Sequence, residues 1–307
     1  MPVAGLTLVL GGALAVGLVA CGADRTTPDP KAPTAGLVIL AGEPGAATLT
    51  IHDDGGGSRG VTLPHPGTAW IAAGPGGRLA ATLDDGTVEL SDKPATGVDP
   101  AWRPATGGGA DLPAEPLRFA TWSPGGARIA ALAADFGAAA RLTLTIIDPV
   151  AGATLLLPIP GEPVIAPLAW LSDERLLVQT DRGAIVVHSI TGAVAAGPPI
   201  DAPGRTPVAI SAGALIALAD PAGGAVDIRP LVGWLAGDTA EPLARIEEQA
   251  EVGSMALTQA GDRLAIVWQQ IEGPGTTVVY GRADGWREVA RATLPGGSAR
   301  AAVDWLR

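Results

Sequence analysis

This chain of 307 residues is poor in several residue types, and each shortage excludes a class of protein. It has one Cys and three His, so its thiol has no disulfide partner within the chain and no obvious metal partners. With 20 Lys and Arg against 31 Asp and Glu, the formal net charge is −11 at pH 7. Because nucleic acid repels so acidic a chain, we expect no nucleic-acid partner and interpret the charge as a source of solubility.

The single cysteine, Cys21, follows Leu18-Val19-Ala20 at the end of an uncharged run of apolar or small residues, 1–20. Small residues before a lone Cys are typical of a cleavage site where the thiol receives lipid. The run resembles a bacterial lipoprotein signal peptide with its lipobox. The resemblance implies lipidation of Cys21, an extracytoplasmic location and stable attachment to the membrane through two or more acyl chains. The run has no Lys or Arg at its start, where a secretory signal normally has one, so either the signal is atypical or the true start differs. Since about 20 apolar residues suffice to span a membrane, an uncleaved membrane-spanning helix is the alternative.

Residues 21–35 read CGADRTTPDPKAPTA. Their prolines, tandem threonines and scattered charges cannot bury a core, so the sequence predicts a flexible tether. We therefore divide the chain into a signal peptide at 1–20, a tether at 21–35 and a folded domain at 36–307.

The folded part contains six segments with one layout: an apolar strand end, a turn and a second apolar strand. In the best copy, at 120–132, Trp122 ends a strand and Pro124-Gly125-Gly126 forms the turn. Equivalent positions fall at 73, 122, 170, 209, 257 and 305. A period of about 40–50 residues is that of β-propeller blades.

A second marker also recurs six times: an apolar strand, a polar residue and a Gly a few places on, as at 146–152 and 186–192. Asp and Ser hydrogen-bond to their own backbone and Gly adopts positive φ, which indicates hairpin turns. The β-branched runs between the markers favour strands. Residues 242–250 could form a helix, but they occupy the place of a fourth strand, so we predict an outer strand there.

The string WSPGGARIA at 122–130, followed by a strand and an Asp-x-x-x-Gly turn, resembles the repeats of WD-like and Tol-system translocation-type β-propellers. The likeness covers nearly all of 37–307. The last unit stops after its first strand, and the first unit, 36–63, lacks that strand. We therefore predict an all-β, six-bladed β-propeller whose C-terminal strand closes the first blade and hides the sheet edges.

Five tryptophans recur at positions that indicate structure. Trp122, Trp170 and Trp305 share one repeat position, which predicts packing between blades. Trp234 and Trp286 each follow a turn glycine, which indicates a second shared position.

Trp102 and Arg103 differ from these, because they lie in a predicted loop without a strand pattern, before the third blade. An exposed Trp beside Arg is typical of a protein–protein contact, so we name both as candidate partner-binding residues. The alternative is a Trp that packs against the blade edge.

The sequence contains no recognisable catalytic or metal-binding motif. His52, His65 and His188 lack metal-ligand spacing, and no Ser lies in a Gly-x-Ser-x-Gly elbow. The strings at 53–55 and 84–86, both Asp-Asp-Gly, resemble fragments of calcium loops, but Asp-Gly is also a common hairpin signal. We assign no catalytic residue, no metal and no cofactor.

Two functions remain open. One is a binding or scaffold module in the cell envelope, anchored to the membrane and engaged with a protein partner. The other is a propeller enzyme, such as a lactonase or a quinoprotein dehydrogenase, with its site in the central channel. An enzyme should place acidic residues, His or Arg at the channel-facing starts of the blades, where this sequence reads Ala, Leu, Ile and Thr. We therefore favour the binding module and expect no enzymatic activity.

Overall fold

The computed structural model describes residues 36–53, 57–91, 100–108, 110–137, 140–162, 164, 166–200, 208–211, 214–220, 222–270, 274–294 and 300–306. These residues form six four-stranded antiparallel sheets, which are the blades of a propeller. In chain order the strands are β1 (Leu37–Gly42), β2 (Thr48–His52), β3 (Ser58–Val61), β4 (Thr68–Ala73), β5 (Leu79–Leu83), β6 (Val88–Ser91), β7 (Trp102–Pro104), β8 (Arg118–Trp122), β9 (Ile129–Asp135), β10 (Arg141–Ile147), β11 (Thr154–Ile159), β12 (Ala169–Ser172), β13 (Arg175–Thr180), β14 (Gly183–His188), β15 (Val194–Ala196), β16 (Val208–Ile210), β17 (Leu215–Ala219), β18 (Ala225–Pro230), β19 (Ala244–Glu247), β20 (Glu251–Leu257), β21 (Arg263–Gln269), β22 (Thr276–Gly281), β23 (Arg287–Thr293) and β24 (Arg300–Trp305). A short helix, α1 (Leu231–Leu235), lies between β18 and β19.

The two ends of the described chain complete one blade, as predicted. Strand β24 pairs with β1 in antiparallel register from Leu37 opposite Trp305 to Gly42 opposite Arg300. The first blade is therefore ordered β24-β1-β2-β3, whereas the other five each use four consecutive strands. This confirms the six-bladed propeller with closure by the C-terminal strand.

The core is divided among the gaps between neighbouring blades, and each of the six gaps holds one cluster of buried apolar side chains. A blade is thus covered on both faces. For this reason the second strands read as continuous apolar runs rather than alternating ones, as in Leu79–Leu83, where every residue is buried. Outer strands such as Arg287–Thr293 are largely exposed and carry charges, which discourages pairing with another chain.

Blade five corrects one prediction and confirms another. The residues at 242–250 do supply the outer strand β19. Helix α1 was not predicted, however, and Trp234 lies in it, whereas Trp286 lies in the turn before β23 with a positive φ of 61°. The two tryptophans therefore do not share a structural position. Both tryptophans follow a glycine, but the two glycines differ in conformation, because Gly233 is helical and Gly285 takes positive φ.

No helix among the described residues is long and apolar enough to cross a membrane.

Removing residues 301–307 should destabilise the whole ring rather than fray one end. The deletion exposes the edges of the first blade and removes Trp305, which is 4% exposed. Loss of a buried Trp costs about 3–5 kcal/mol, a large part of a typical total of about 5–15 kcal/mol. Thermal unfolding of residues 36–300 beside 36–307 measures the effect. Equal melting temperatures would contradict the contribution of closure to stability.

Candidate functional site: the central channel

The innermost strands of the six blades surround a channel with a cavity of about 80 Å³. Most of the residues that line it are apolar, and they come from all six blades: Ile71, Trp122, Leu168, Ile210, Met255 and Val303. Thr121, Ser254, Gln259 and Asp304 are lining residues with polar or charged side chains, and about half of the exposed wall surface is polar. The cavity is therefore suited to a single side chain or small group that makes both apolar and polar contacts.

Two tryptophans at the shared repeat position link neighbouring blades across the channel wall. The indole Nε1 of Trp170 donates to the carbonyl of Thr121, at 3.2 Å. The Nε1 of Trp305 donates to the carbonyl of Ala256, at 3.0 Å. Each ring is buried, and each bond joins the innermost strands of two neighbouring blades. The predicted packing role of these residues is confirmed.

The third of these tryptophans, Trp122, is held differently. It is 1% exposed, and its Nε1 has no hydrogen-bond partner among the described residues. Its ring lies against Gly74 and under the guanidinium of Arg78, which is 4.7 Å from the ring centroid. A Cβ on Gly74 would come within 2.7 Å of the indole carbons. The ring thus occupies space that only a glycine at 74 leaves free.

The mouth of the channel, where the innermost strands begin, carries an aromatic pair. The ring centroids of Trp70 and Phe119 are 5.0 Å apart at 84°, an edge-to-face contact. Both strands bulge here, and Phe119 has a positive φ of 54°, which is uncommon for a residue with a side chain. The amide of Ala120, displaced by the bulge, donates to Thr82 Oγ1 on the neighbouring blade at 3.0 Å.

The indole Nε1 of Trp70 is buried and has no hydrogen-bond partner among the described residues, although its side chain lines the channel. A buried donor without a partner is costly in a folded protein, and such groups often mark a site where a ligand completes the contact.

Asp304 is the one charged residue among those that line the channel in the described part of the chain. Its Oδ2 accepts from the amide of Ala73 on the second blade, and its Oδ1 from the amide of Trp305, both at 2.8 Å. Asp304 was not predicted, because the residues at the channel-facing starts of the blades are Ala, Leu, Ile and Thr. It could have been recognised as the one charged residue at a repeat position that is uncharged in the other five blades.

The structure corrects the placement of Trp102 and Arg103. They lie in β7, the outermost strand of the second blade, and not in a loop without strand pairing. The strand has three residues and ends in a proline, which is too short for a recognisable pattern and is tolerated only at an edge.

Trp102 is half-buried against the first blade, and its Nε1 donates to the carbonyl of Thr62 at 3.0 Å. This is the alternative position, a Trp packed against a blade edge. Arg103 is exposed and its Nη2 donates to the carbonyl of Pro149 at 2.6 Å. A role of either residue in partner binding stays a prediction. Cys21, the predicted lipidation site, lies outside the described residues.

The histidines end strands or lie in a turn, and of the two Asp-Asp-Gly strings only 84–86 is described in full, since residues 54 and 55 lie outside the described residues. His52 and His188 each end the third strand of a blade, as the repeat predicts, and burial lowers the pKa of His52. His65 Nδ1 accepts from the amide of Gly67 at 2.9 Å. The 84–86 string forms the hairpin between β5 and β6, with Gly86 at a φ of 89°. Among the described residues, no three His, Cys, Asp or Glu lie close enough together to hold a metal ion.

These features define the protein as a six-bladed β-propeller with a mainly apolar central channel. No family model matches the chain, and no curated protein sequence matches it. Many solved structures do, 949 chains in all, so the fold is one shared by proteins of different function.

Two of these structures show how far the likeness extends. TolB from Acinetobacter baumannii superposes with a TM-score of 0.64 at 17% identity, over 88% of this chain and 66% of that one. The chain thus spans slightly less than two thirds of that TolB. A gluconolactonase from Xanthomonas campestris superposes with a TM-score of 0.55 at 13% identity, over 75% of this chain and 79% of that one. At these identities the likeness establishes the fold alone.

Gly74→Ala should destabilise the protein, because the new methyl group would overlap the Trp122 ring. Overpacking of this kind costs about 1–3 kcal/mol. Gly60→Ala is the matched control, since a Cβ at Gly60 meets nothing within 4 Å. Chemical unfolding followed by Trp fluorescence gives both values. A Gly74→Ala variant as stable as Gly60→Ala would contradict the described packing of Trp122.

Proposed function

We propose that this protein is a lipid-anchored, extracytoplasmic β-propeller that binds a protein partner in the cell envelope. The observation that carries the binding role is the channel wall, to which all six blades contribute mainly apolar residues. Burial of an apolar side chain of a partner against this wall is favourable at about 25 cal/mol per Å². The structural likeness to TolB is compatible with this role. So is the resemblance of the sequence repeats to those of Tol-system translocation-type propellers.

The anchor rests on the sequence of residues 1–35. A lone cysteine after Leu18-Val19-Ala20, at the end of an uncharged apolar run, has the residue order of a lipobox, and a Pro-rich tether follows it. A tether between the lipid and the ring allows the propeller to reach a partner beside the membrane.

Cys21→Ser should abolish lipidation, because this chain has no other thiol. Metabolic labelling with an alkyne analogue of palmitate, followed by gel fluorescence, measures it. The variant is expected to lose the label and to be released or to remain as an unprocessed precursor. Equal labelling of the variant and the native chain would contradict the proposed lipidation of Cys21.

Ile210→Arg should weaken capture of the partner, because Ile210 lines the channel and a charge there would be buried unpaired by the bound segment. The loss should be about tenfold or more, since such burial costs well over 1.4 kcal/mol. Ile210→Val, which keeps the wall apolar, is the control and should capture normally. The measurement is affinity purification of the tethered protein from membranes, quantified by mass spectrometry, with thermal unfolding to show that both variants fold.

An enzymatic role is the second candidate, favoured by the carboxylate of Asp304 in the channel and by the likeness to a gluconolactonase. A lactone, ester and alcohol–quinone panel separates the two functions. Turnover by the pure protein that Asp304→Asn abolishes would establish the enzyme and displace the binding role.

In the capture experiment, equal capture by Ile210→Arg and Ile210→Val would show that the partner does not enter the channel.

A further inference from the structure

The chain enters the propeller at a defined face of the ring. Each blade is an antiparallel meander, so the turns between first and second strands and those between third and fourth strands lie on the same side. In the first blade, Gly36 precedes β1 and accepts a hydrogen bond from the amide of Leu306, just beyond the end of β24, at 2.8 Å. Gly36 therefore lies on this side, which we call the N-terminal face.

Contacts between blades show that the N-terminal face is shared around the ring. The first-to-second-strand turns of blades three and four meet where the amide of Gly125 donates to Asp173 Oδ1 at 2.6 Å. Those of blades five and six meet where Gly261 lies against Ser211. The innermost strands thus run in one direction, and the equivalent turns of different blades project from one side.

The N-terminal face presents large apolar side chains to solvent. Val150 is 88% exposed in the β10–β11 turn, Ile190 is 47% exposed in the β14–β15 turn, and Val232 is 73% exposed on α1. Leu243, 57% exposed, ends the same β18–β19 connection as α1. These turns are the third-to-fourth-strand connections of blades three, four and five, so the apolar side chains stand on three consecutive blades.

Side-chain hydrogen bonds fix these exposed positions. Asp148 Oδ1 accepts from the amides of Val150 and Ala151, at 2.8 and 2.9 Å, and these bonds lower the pKa of its carboxyl group. Asp238 Oδ1 accepts from the amide of Ala240 at 2.8 Å in the β18–β19 connection. Both carboxylates are therefore turned to their own backbone. These bonds order the β10–β11 turn, which carries Val150, and part of the β18–β19 connection, which carries Val232.

The described chain begins at Gly36, on the N-terminal face, and Cys21 precedes it by only 15 residues in the sequence. A lipid on Cys21 would therefore attach the propeller to the membrane from the side of the N-terminal face.

We infer that the N-terminal face rests on the membrane and that Val150, Ile190 and Val232 insert into the lipid headgroup region. The inference rests on the proposed lipid anchor. Apolar side chains at a membrane surface bind by burying their area at the headgroup–acyl boundary, about 5–10 Å deep. The apolar turns are separate projections on adjacent blades, and a flat lipid surface meets all of them at once. One mouth of the channel then faces the membrane and the Trp70–Phe119 mouth faces away from it.

The experiment places an environment-sensitive nitrobenzoxadiazole label at Val150→Cys, at Val232→Cys or at the control Phe136→Cys. Phe136 is 64% exposed but follows β9 in a second-to-third-strand hairpin, on the opposite face. Because Cys21 is the only native thiol and would carry the lipid, each label is unique. The acylated full mature chain is reconstituted in phosphatidylethanolamine–phosphatidylglycerol vesicles. Labels at 150 and 232 should gain emission, shift to shorter wavelength and be quenched by spin-labelled lipid, while the label at 136 should not change.

A second sample separates this inference from the anchor itself. The chain 22–307, with a hexahistidine before Gly22, is attached to nickel-chelating lipid in the same vesicles, which supplies the tether geometry whether or not Cys21 is acylated. If metabolic labelling excludes lipid on Cys21, the proposed anchor fails and this sample alone decides the orientation.

In either sample, equal responses at 150, 232 and 136 would overturn the inference. So would labels at 150 and 232 that stay exposed on vesicles but become shielded in whole envelopes, since a protein would then cover this face. Selective quenching at 150 and 232 on protein-free vesicles supports it.

Discussion

The pairing of β24 with β1 is the constraint on which the rest of this structure depends. It joins residues from the two ends of the folded chain in one sheet, from Leu37 opposite Trp305 to Gly42 opposite Arg300. Without it, the first blade would lack its channel-lining strand and the ring would expose two strand edges. The same pairing brings Asp304 to the channel and sets Gly36 at one face. The candidate site and the direction of the tether thus both follow from closure.

The cohesion of the ring comes from the contacts between blades. Each gap is filled by a separate apolar cluster, and alanines are frequent in these clusters, as at Ala80, Ala130 and Ala265, all fully buried. Small side chains let neighbouring sheets approach closely, and Trp122, Trp170 and Trp305 fill space in these gaps beside the innermost strands. Polar groups in the gaps bond across blades, as Thr82 does with Ala120 and Trp170 with Thr121. The interface between blades is therefore specified by hydrogen bonds as well as by burial.

The sequence predicted the features that repeat and missed those that occur once. The six-fold period, the turn chemistry and the shared position of Trp122, Trp170 and Trp305 were readable because each is reinforced by several copies. Helix α1 replaces one of six equivalent turns, and its five residues include Gly233, a residue type that marks turns in the other repeats. Strand β7 is set by pairing with β6 rather than by any pattern of its own three residues.

The candidate site was the least predictable part for the same reason. Its apolar wall follows from the repeated innermost strands. The positive φ of Phe119 lies in a local bulge, and the Nε1 of Trp70 is buried without a partner among the described residues; a sequence pattern shows neither feature. Asp304 is a single departure from an otherwise uncharged repeat position, and it gains its meaning from contact with Ala73 on another blade.

Closure by the last strand also sets the order in which the molecule can mature. Strand β1 is synthesised before the other strands of the ring, and its partner β24 begins at Arg300. At about 5–20 residues per second, the interval between them is roughly 15–50 s. During that time five blades can form from consecutive strands, while the inner edge of β1 has no partner. The final step then closes a loop of nearly the whole domain, which is the slowest kind of contact to make. The first blade is therefore begun first and completed last.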